Sequence, residues 1–185
     1  LNIVLKGLLH PGDHVITTEM EHNSVLRPLY ELEEKGVSVT IVACEKKGTI
    51  SCEKIKQAIG KKTKAIVCTH ASNVTGDGND IAQIGTLCEK YNLYFILDAS
   101  QTAGAAGIDM EQDHISAICF TGHKGLFGPQ GTGGIALADG VCVKPLLSGG
   151  SGVHSFERKH PTELPAALEA GTLNGHGLSL IHISE

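Results

Sequence analysis

The sequence predicts an α/β fold built on a mainly parallel sheet. Strand-like and helix-like periodicities alternate from Asp13 to about Asp139, the pattern of successive βαβ units. The strand-like runs, above all "LYFILDAS", lack polar alternation, as expected of a sheet covered on both faces. Polar side chains gather directly after those runs, at the edge where open parallel sheets bind ligands.

The elements follow in order. Leu1 opens directly on an amphipathic helix, "LNIVLKGLLHPG". "DHVITTEM" reads as a short apolar strand. "HNSVLRPLYELEEKG" places Val25, Leu26, Leu29, Tyr30 and Leu32 at helical spacing and stops at Gly36. "GVSVTIVAC" is a strand, and "SCEKIKQAIG" a short helix with Ser51 as N-cap, Ile55 and Ile59 on one face and Gly60 at its end. "TKAIVCTHAS" is a strand. "NDIAQIGTLCEKYN" is an amphipathic helix capped by Asp80, with a stripe of Ile81, Ile84, Leu87, Cys88 and Tyr91. "LYFILDAS", "ISAICFTG" and "GIALAD" are three further strands. The glycine- and proline-rich "LLSGGSGVHSFERKHPTELP" reads as a loop that covers a site or reaches a partner.

Bulk properties exclude several function classes. The chain has 185 residues, is 41% hydrophobic and carries a net charge of -5, with no basic cluster, so a nucleic-acid partner is not expected. No apolar run reaches the ~18 residues that a membrane span needs, and the first residues lack the features of a signal peptide. Six scattered cysteines (Cys44, Cys52, Cys68, Cys88, Cys119, Cys142) form no C-x-x-C pair. They read as reduced thiols of a cytoplasmic protein, many in its core. His10 and His14 have helical spacing, but Pro11 and Gly12 lie between them, so no metal site is expected.

Four polar clusters follow four separate strand-like runs: Glu21-His22-Asn23, Ser72-Asn73, Asp98 with Gln101, and His123-Lys124. Nucleotide loops do not explain them. Lys124 precedes its glycines instead of following them as in a Walker loop, and no G-x-G-x-x-G follows the first strand. The residue types suit a cofactor with an anion, an aromatic ring and an electrophilic carbon. A lysine amine can form a Schiff base, a carboxylate can hold a ring nitrogen protonated, and a histidine can stack on the ring. Amides and hydroxyls can bind a phenolic oxygen and a phosphate. Pyridoxal 5'-phosphate needs this set.

The motifs "TEMEHNSVLRP", "HASNVTG", "LDASQTAG", "TGHKGLFGPQGTGG" and "LEAGTLNGHG", in this order, resemble those of the class V aminotransferase family. These are pyridoxal-phosphate enzymes of fold type I, and the resemblance is greatest to the cysteine desulfurase and selenocysteine lyase branch. It implies the three-layer α/β/α large domain of that fold, incomplete at both ends, and a homodimer. It implies that Lys124 carries the cofactor as a Schiff base and that Asp98 pairs with the pyridine nitrogen. His22 would stack on the ring and assist proton transfer. Gln101 would bond the phenolic oxygen, with Asn73 near that oxygen and the substrate carboxylate. Thr121 and His123 would bind the phosphate, Thr121 standing where many relatives have serine. Thr172 would reach the phosphate of the neighbouring subunit, and the glycines after Lys124 would let backbone pass close to the cofactor. The implied reaction converts L-cysteine to L-alanine, with sulfur passed to an enzyme persulfide and on to an acceptor protein for iron–sulfur cluster assembly. Aminotransferase and selenocysteine lyase chemistry are the sister alternatives, and a non-catalytic α/β binding domain is the remote one.

The same resemblance divides the chain. Residues 1–177 read as a partial cofactor-binding domain, without the upstream Gly-Thr phosphate loop and the small C-terminal domain. That domain carries the substrate-binding arginine and, in desulfurases, the nucleophilic cysteine, so the 185 residues alone are expected to be inactive. "LSLIHISE", residues 178–185, resembles the conceptual translation of a transposon-end adaptor used in sequencing-library preparation. An ordinary C-terminal strand is the other reading, and poor packing is expected of an adaptor tail.

Overall fold

Apolar runs flanked by turn residues resolve into six strands, and the amphipathic stretches between them into helices. A computed structural model describes residues 1–45, 48–153 and 156–183. In chain order the elements are α1 (Asn2–Leu8), β1 (His14–Thr18), α2 (Asn23–Glu34), β2 (Ser38–Val42), α3 (Cys52–Ala58) and β3 (Thr63–Thr69). They continue with α4 (Ile81–Tyr91), β4 (Tyr94–Asp98), β5 (Ala117–Thr121), β6 (Gly133–Leu137), a 3-10 turn at Ala166–Leu168, and α5 (Gly175–Ile183).

The strands form one sheet in the order β2-β1-β3-β4-β5-β6. Neighbours from β2 to β5 run parallel, and β6 closes one edge antiparallel to β5. The chain reverses its direction of travel across the sheet at β1, with β2 on one side and β3 on the other. Such a reversal is where open α/β sheets leave a crevice at the carboxyl ends of their strands.

The missing polar alternation has a direct cause. Consecutive residues of the central strands enter opposite cores. Val15, Ala65, Val67 and Ile96 join Val4, Leu5, Val25 and Leu29 from α1 and α2. Ile16, Ile66, Cys68, Phe95 and Leu97 join Ile55, Ile81, Ile84 and Cys88 from α3 and α4. Helix, sheet and helix therefore make three layers, as the resemblance implies.

Local signals place most element ends. Gly36 takes φ +94° beyond the end of α2, a left-handed conformation that glycine adopts at least cost. The Asp80 carboxyl accepts from the Gln83 amide at 3.0 Å and caps α4. Ser51 stands at the N-cap of α3, but its hydroxyl makes no capping bond. Tyr30 and Tyr91, expected on the buried stripes, are 45% and 40% exposed, because each phenol lies at the margin of its helix's apolar face.

The C-terminal third departs from one expectation. The described residues of the loop 146–165 are not among those lining the rim pocket detailed below, and a partner contact remains the other expectation for it; its His154 and Ser155 lie outside the described residues. Residues 178–183 continue α5 and are not a strand. Ile181 packs on Gly122 and Gly128, where an added Cβ would come within 2.7 and 2.5 Å of its side chain. Poor packing therefore does not hold at Ile181, although Leu178 and Leu180 remain exposed. Ser184 and Glu185 lie outside the described residues.

Candidate functional site

The strand order sets β1, β3, β4 and β5 side by side, so their carboxyl ends share one rim. Thr69 pairs in register with Asp98, so β3 and β4 end level, while β5 pairs there through Cys119 and runs on to Thr121. At this rim lies a pocket of about 260 Å³ lined by His22, Asn73, Asp98, Gln101, Thr121, His123 and Lys124. Ser24, Thr69, Ala71 and Ser100 complete the lining. Thr172 is exposed and does not line it. A larger groove of about 730 Å³ runs between α3 and α4, but it is an open surface feature away from the strand ends.

Asp98 closes β4 and is 2% exposed. Its Oδ1 accepts from the Ser100 amide at 2.9 Å and the Ser100 hydroxyl at 2.5 Å, a local turn that fixes the carboxyl plane. His22 is the N-cap of α2, and its Nδ1 accepts from the Ser24 amide at 3.1 Å. That bond requires a lone pair on Nδ1 and so places the proton of the neutral ring on Nε2. The Thr121 hydroxyl and His123 Nδ1 lie 2.6 Å apart. Lys124 follows in an exposed turn closed by a bond from the Phe127 amide to its carbonyl at 2.9 Å.

The glycines beyond Lys124 make close contacts within the protein. None of them lines the pocket. A Cβ on Gly125 would strike the Ala103 carbonyl, and one on Gly128 would stand 2.9 Å from the Gly122 carbonyl. Gly133 packs with equal closeness on the Phe120 carbonyl, and Gly134 on the Phe120 ring. They let the loop fold on itself and on the turn after β4, which holds Lys124 at the rim. These close approaches are to both backbone and side-chain atoms of the protein.

Two participants were not singled out from the sequence. Ser100 was legible as the polar residue two places after a strand-ending aspartate, the spacing of an Asx turn. Glu21 was visible as part of a polar cluster, but nothing in the sequence announced its burial. It is 8% exposed; its Oε1 accepts from the Thr18 hydroxyl at 2.5 Å and the Thr69 amide at 3.0 Å, while Oε2 has no partner. Burial above all, with the nearby Asp98 adding to it, pushes its acid up to about 8, although the two hydrogen bonds act in the opposite sense.

The groups present fit pyridoxal phosphate. A buried carboxyl, a hydroxyl–imidazole pair, a capping imidazole and a primary amine share one pocket, with Asn73 and Gln101 amides between them. A family model described as aminotransferase class-V matches residues 1–182. The chain belongs to the class V aminotransferase family. This class V chain is 35% identical over 153 residues to cysteine desulfurase IscS of Clostridium botulinum, covering 80% of the chain and 38% of that relative. It is 33% identical over 179 residues to a probable cysteine desulfurase of Methanothermobacter thermautotrophicus, covering 94% and 45%. Its fold superposes on the apo cysteine desulfurase of Thermococcus onnurineus with a TM-score of 0.87 and 28% identity, over 99% of this chain and 47% of that one. The class V chain thus spans less than half the length of these relatives.

None of its six cysteines lines the pocket. Burial pushes the thiols of Cys52, Cys68, Cys88 and Cys119 up, and Cys44 is raised in the same way. Thiols so shifted stay protonated and are weak nucleophiles. Among the described residues no helix is long and apolar enough to cross a membrane.

Proposed function

We propose that the protein to which this chain belongs is a pyridoxal-phosphate-dependent cysteine desulfurase. It converts L-cysteine to L-alanine and passes the sulfur to a cysteine thiolate as a persulfide. When bound, the cofactor supplies an electron sink that stabilises negative charge at the substrate α-carbon. In this reading Asp98 keeps a proton at the ring nitrogen. His22 covers one ring face, and Gln101 and Asn73 bond the oxygen substituent. Thr121 and His123 hold the phosphate, and Lys124 Nζ anchors the cofactor and carries a proton to and from the α-carbon. The convergence of Lys124, Asp98 and His22 on one pocket from three different strand ends carries the proposal.

The sulfur-accepting thiol is not one of the six described here, because none reaches the pocket. A homodimer fits the exposed position of Thr172 off its own chain's pocket, where it can serve a second copy. Six free thiols fit a reducing, cytoplasmic compartment, and the persulfide would be delivered to an acceptor protein used in iron–sulfur assembly. The test is release of alanine and sulfide from L-cysteine by the complete, cofactor-loaded protein, against a Lys124→Ala control. Turnover of L-selenocysteine alone, or amino transfer to a keto acid, would move the assignment to a sister activity.

A further inference from the structure

The buried carboxyl of Glu21 is not used by the proposed reaction, yet it lies directly behind the pocket. β1 pairs with β3 through His14↔Thr63, Val15↔Ala65 and Ile16↔Ile66. The register ends at Ile16↔Ile66 and β1 itself at Thr18, and the Thr69 amide at the end of β3 finds its acceptor in a side chain. Glu21 Oε1 supplies it at 3.0 Å and takes the Thr18 hydroxyl at 2.5 Å as well. The Thr18 oxygen in turn accepts from the Met20 amide at 3.2 Å. The turn leading from β1 to α2 is therefore tied to the neighbouring strand by one side chain. The next residue is His22, whose backbone is extended (φ -73°, ψ 156°) and whose Nδ1 caps α2 through the Ser24 amide.

We infer that Glu21 is a positioning residue of the cofactor site: by clamping the end of β1 to the end of β3 it fixes the backbone from which the His22 imidazole meets the ring. Glu21 acts as an uncharged acid. A buried carboxylate with a bare Oε2 would carry an uncompensated charge, whereas the protonated group carries its proton on Oε2 and leaves a neutral O–H unpaired, the smaller cost. Glutamine keeps the acceptor side of this arrangement: its amide oxygen accepts both bonds without charge, while its amide nitrogen takes the unpartnered place of Oε2.

The inference rests on reading the pocket as a pyridoxal-phosphate site, so its first test needs no cofactor. Amide exchange at Ser24 reports how firmly His22 caps α2. In cofactor-free protein, Glu21→Ala should speed that exchange about tenfold, and Glu21→Gln should stay within about twofold of wild type. Thr18→Val, which removes the hydroxyl that donates to Glu21 and accepts from the Met20 amide, should give a smaller increase of about threefold and covers the case in which the alanine variant does not fold. In the second test, pyridoxal phosphate should bind Glu21→Ala about tenfold more weakly than wild type and Glu21→Gln within about threefold. In a His22→Ala background the Glu21→Ala step should shrink below about twofold, because its route through the imidazole is gone. Unchanged Ser24 exchange in both Glu21→Ala and Thr18→Val overturns the inference. So does a full tenfold affinity step without His22, or a glutamine variant as impaired as alanine. Wild-type protein that takes up no pyridoxal phosphate counts against the cofactor site, while Ser24 exchange still decides whether Glu21 holds His22.

Discussion

Lys124 and Glu21 are both ionisable residues at strand ends, and their surroundings give them opposite tasks. Lys124 stands exposed at the mouth of the pocket, its turn held by glycines. Lys124→Ala should abolish the visible absorption band of the cofactor-loaded protein while leaving its unfolding midpoint near that of wild type; absorption spectra and a denaturant titration check both. Glu21 carries a stability signature. Its folded-state acid lies near 8, above the ordinary 4.5, so between these values the folded chain holds a proton that the unfolded chain has lost. The resulting stabilisation is fully present below about 4.5 and is lost as pH rises through about 8. Across that window wild type should lose stability relative to Glu21→Gln by up to about 1.4 kcal/mol per pH unit. The ionisable groups coupled to Glu21 are Asp98, Cys68 and Cys44, none of which the glutamine substitution removes. Parallel pH profiles of the two proteins in urea would show that Glu21 is ionised.

Glycines and caps decide how the elements meet. In the loop after β5, Gly125→Ala forces a methyl against the Ala103 carbonyl and should destabilise by about 1–3 kcal/mol, with weaker cofactor binding because Lys124 is next to it. Gly60→Ala, with nothing within 4 Å, should change stability by no more than about 0.5 kcal/mol. Thermal unfolding of the two variants separates close packing from glycine content in general. At α4, Asp80→Ala removes the acceptor for the Gln83 amide and should cost about 1 kcal/mol, measurable by urea denaturation. Ser51 has the same sequence appearance before α3 but makes no such bond, so Ser51→Ala should cost less.

Across the molecule, the sheet separates two cores that share only its backbone. Leu29 is fully buried in one, and Ile84 is 1% exposed in the other. Leu29→Ala and Ile84→Ala should each cost about 2–5 kcal/mol, and their sum should match the double variant to within about 0.5 kcal/mol. Equilibrium unfolding of the three variants checks this. A larger coupling would mean that a cavity on one face shifts the strands that pack the other. The same layering explains why the site is at the rim: both faces of the sheet are covered, and the strand ends remain the place where polar side chains from four strands can face one ligand.

The sequence alone determined the alternation of elements, their order and most of their ends, because each depends on neighbours within one or two turns. It also determined most residue types of the pocket, since Asp98 closes a strand and His22, Asn73, Gln101, His123 and Lys124 follow one, with Thr121 added by the family resemblance. What it left open depends on contacts between segments far apart in the chain. Glu21 looks like any polar residue after a strand until β3 is placed beside β1 and the Thr69 amide needs an acceptor. The glycines after Lys124 show only permissive backbone in the sequence, and that Gly125 meets the turn at Ala103 is seen only once the two loops are placed together. Ile181 looks like a residue that packs poorly until α5 brings it onto Gly122 and Gly128. In each case the deciding quantity is which backbone atom lies within a few ångströms, and only the tertiary structure brings those atoms together.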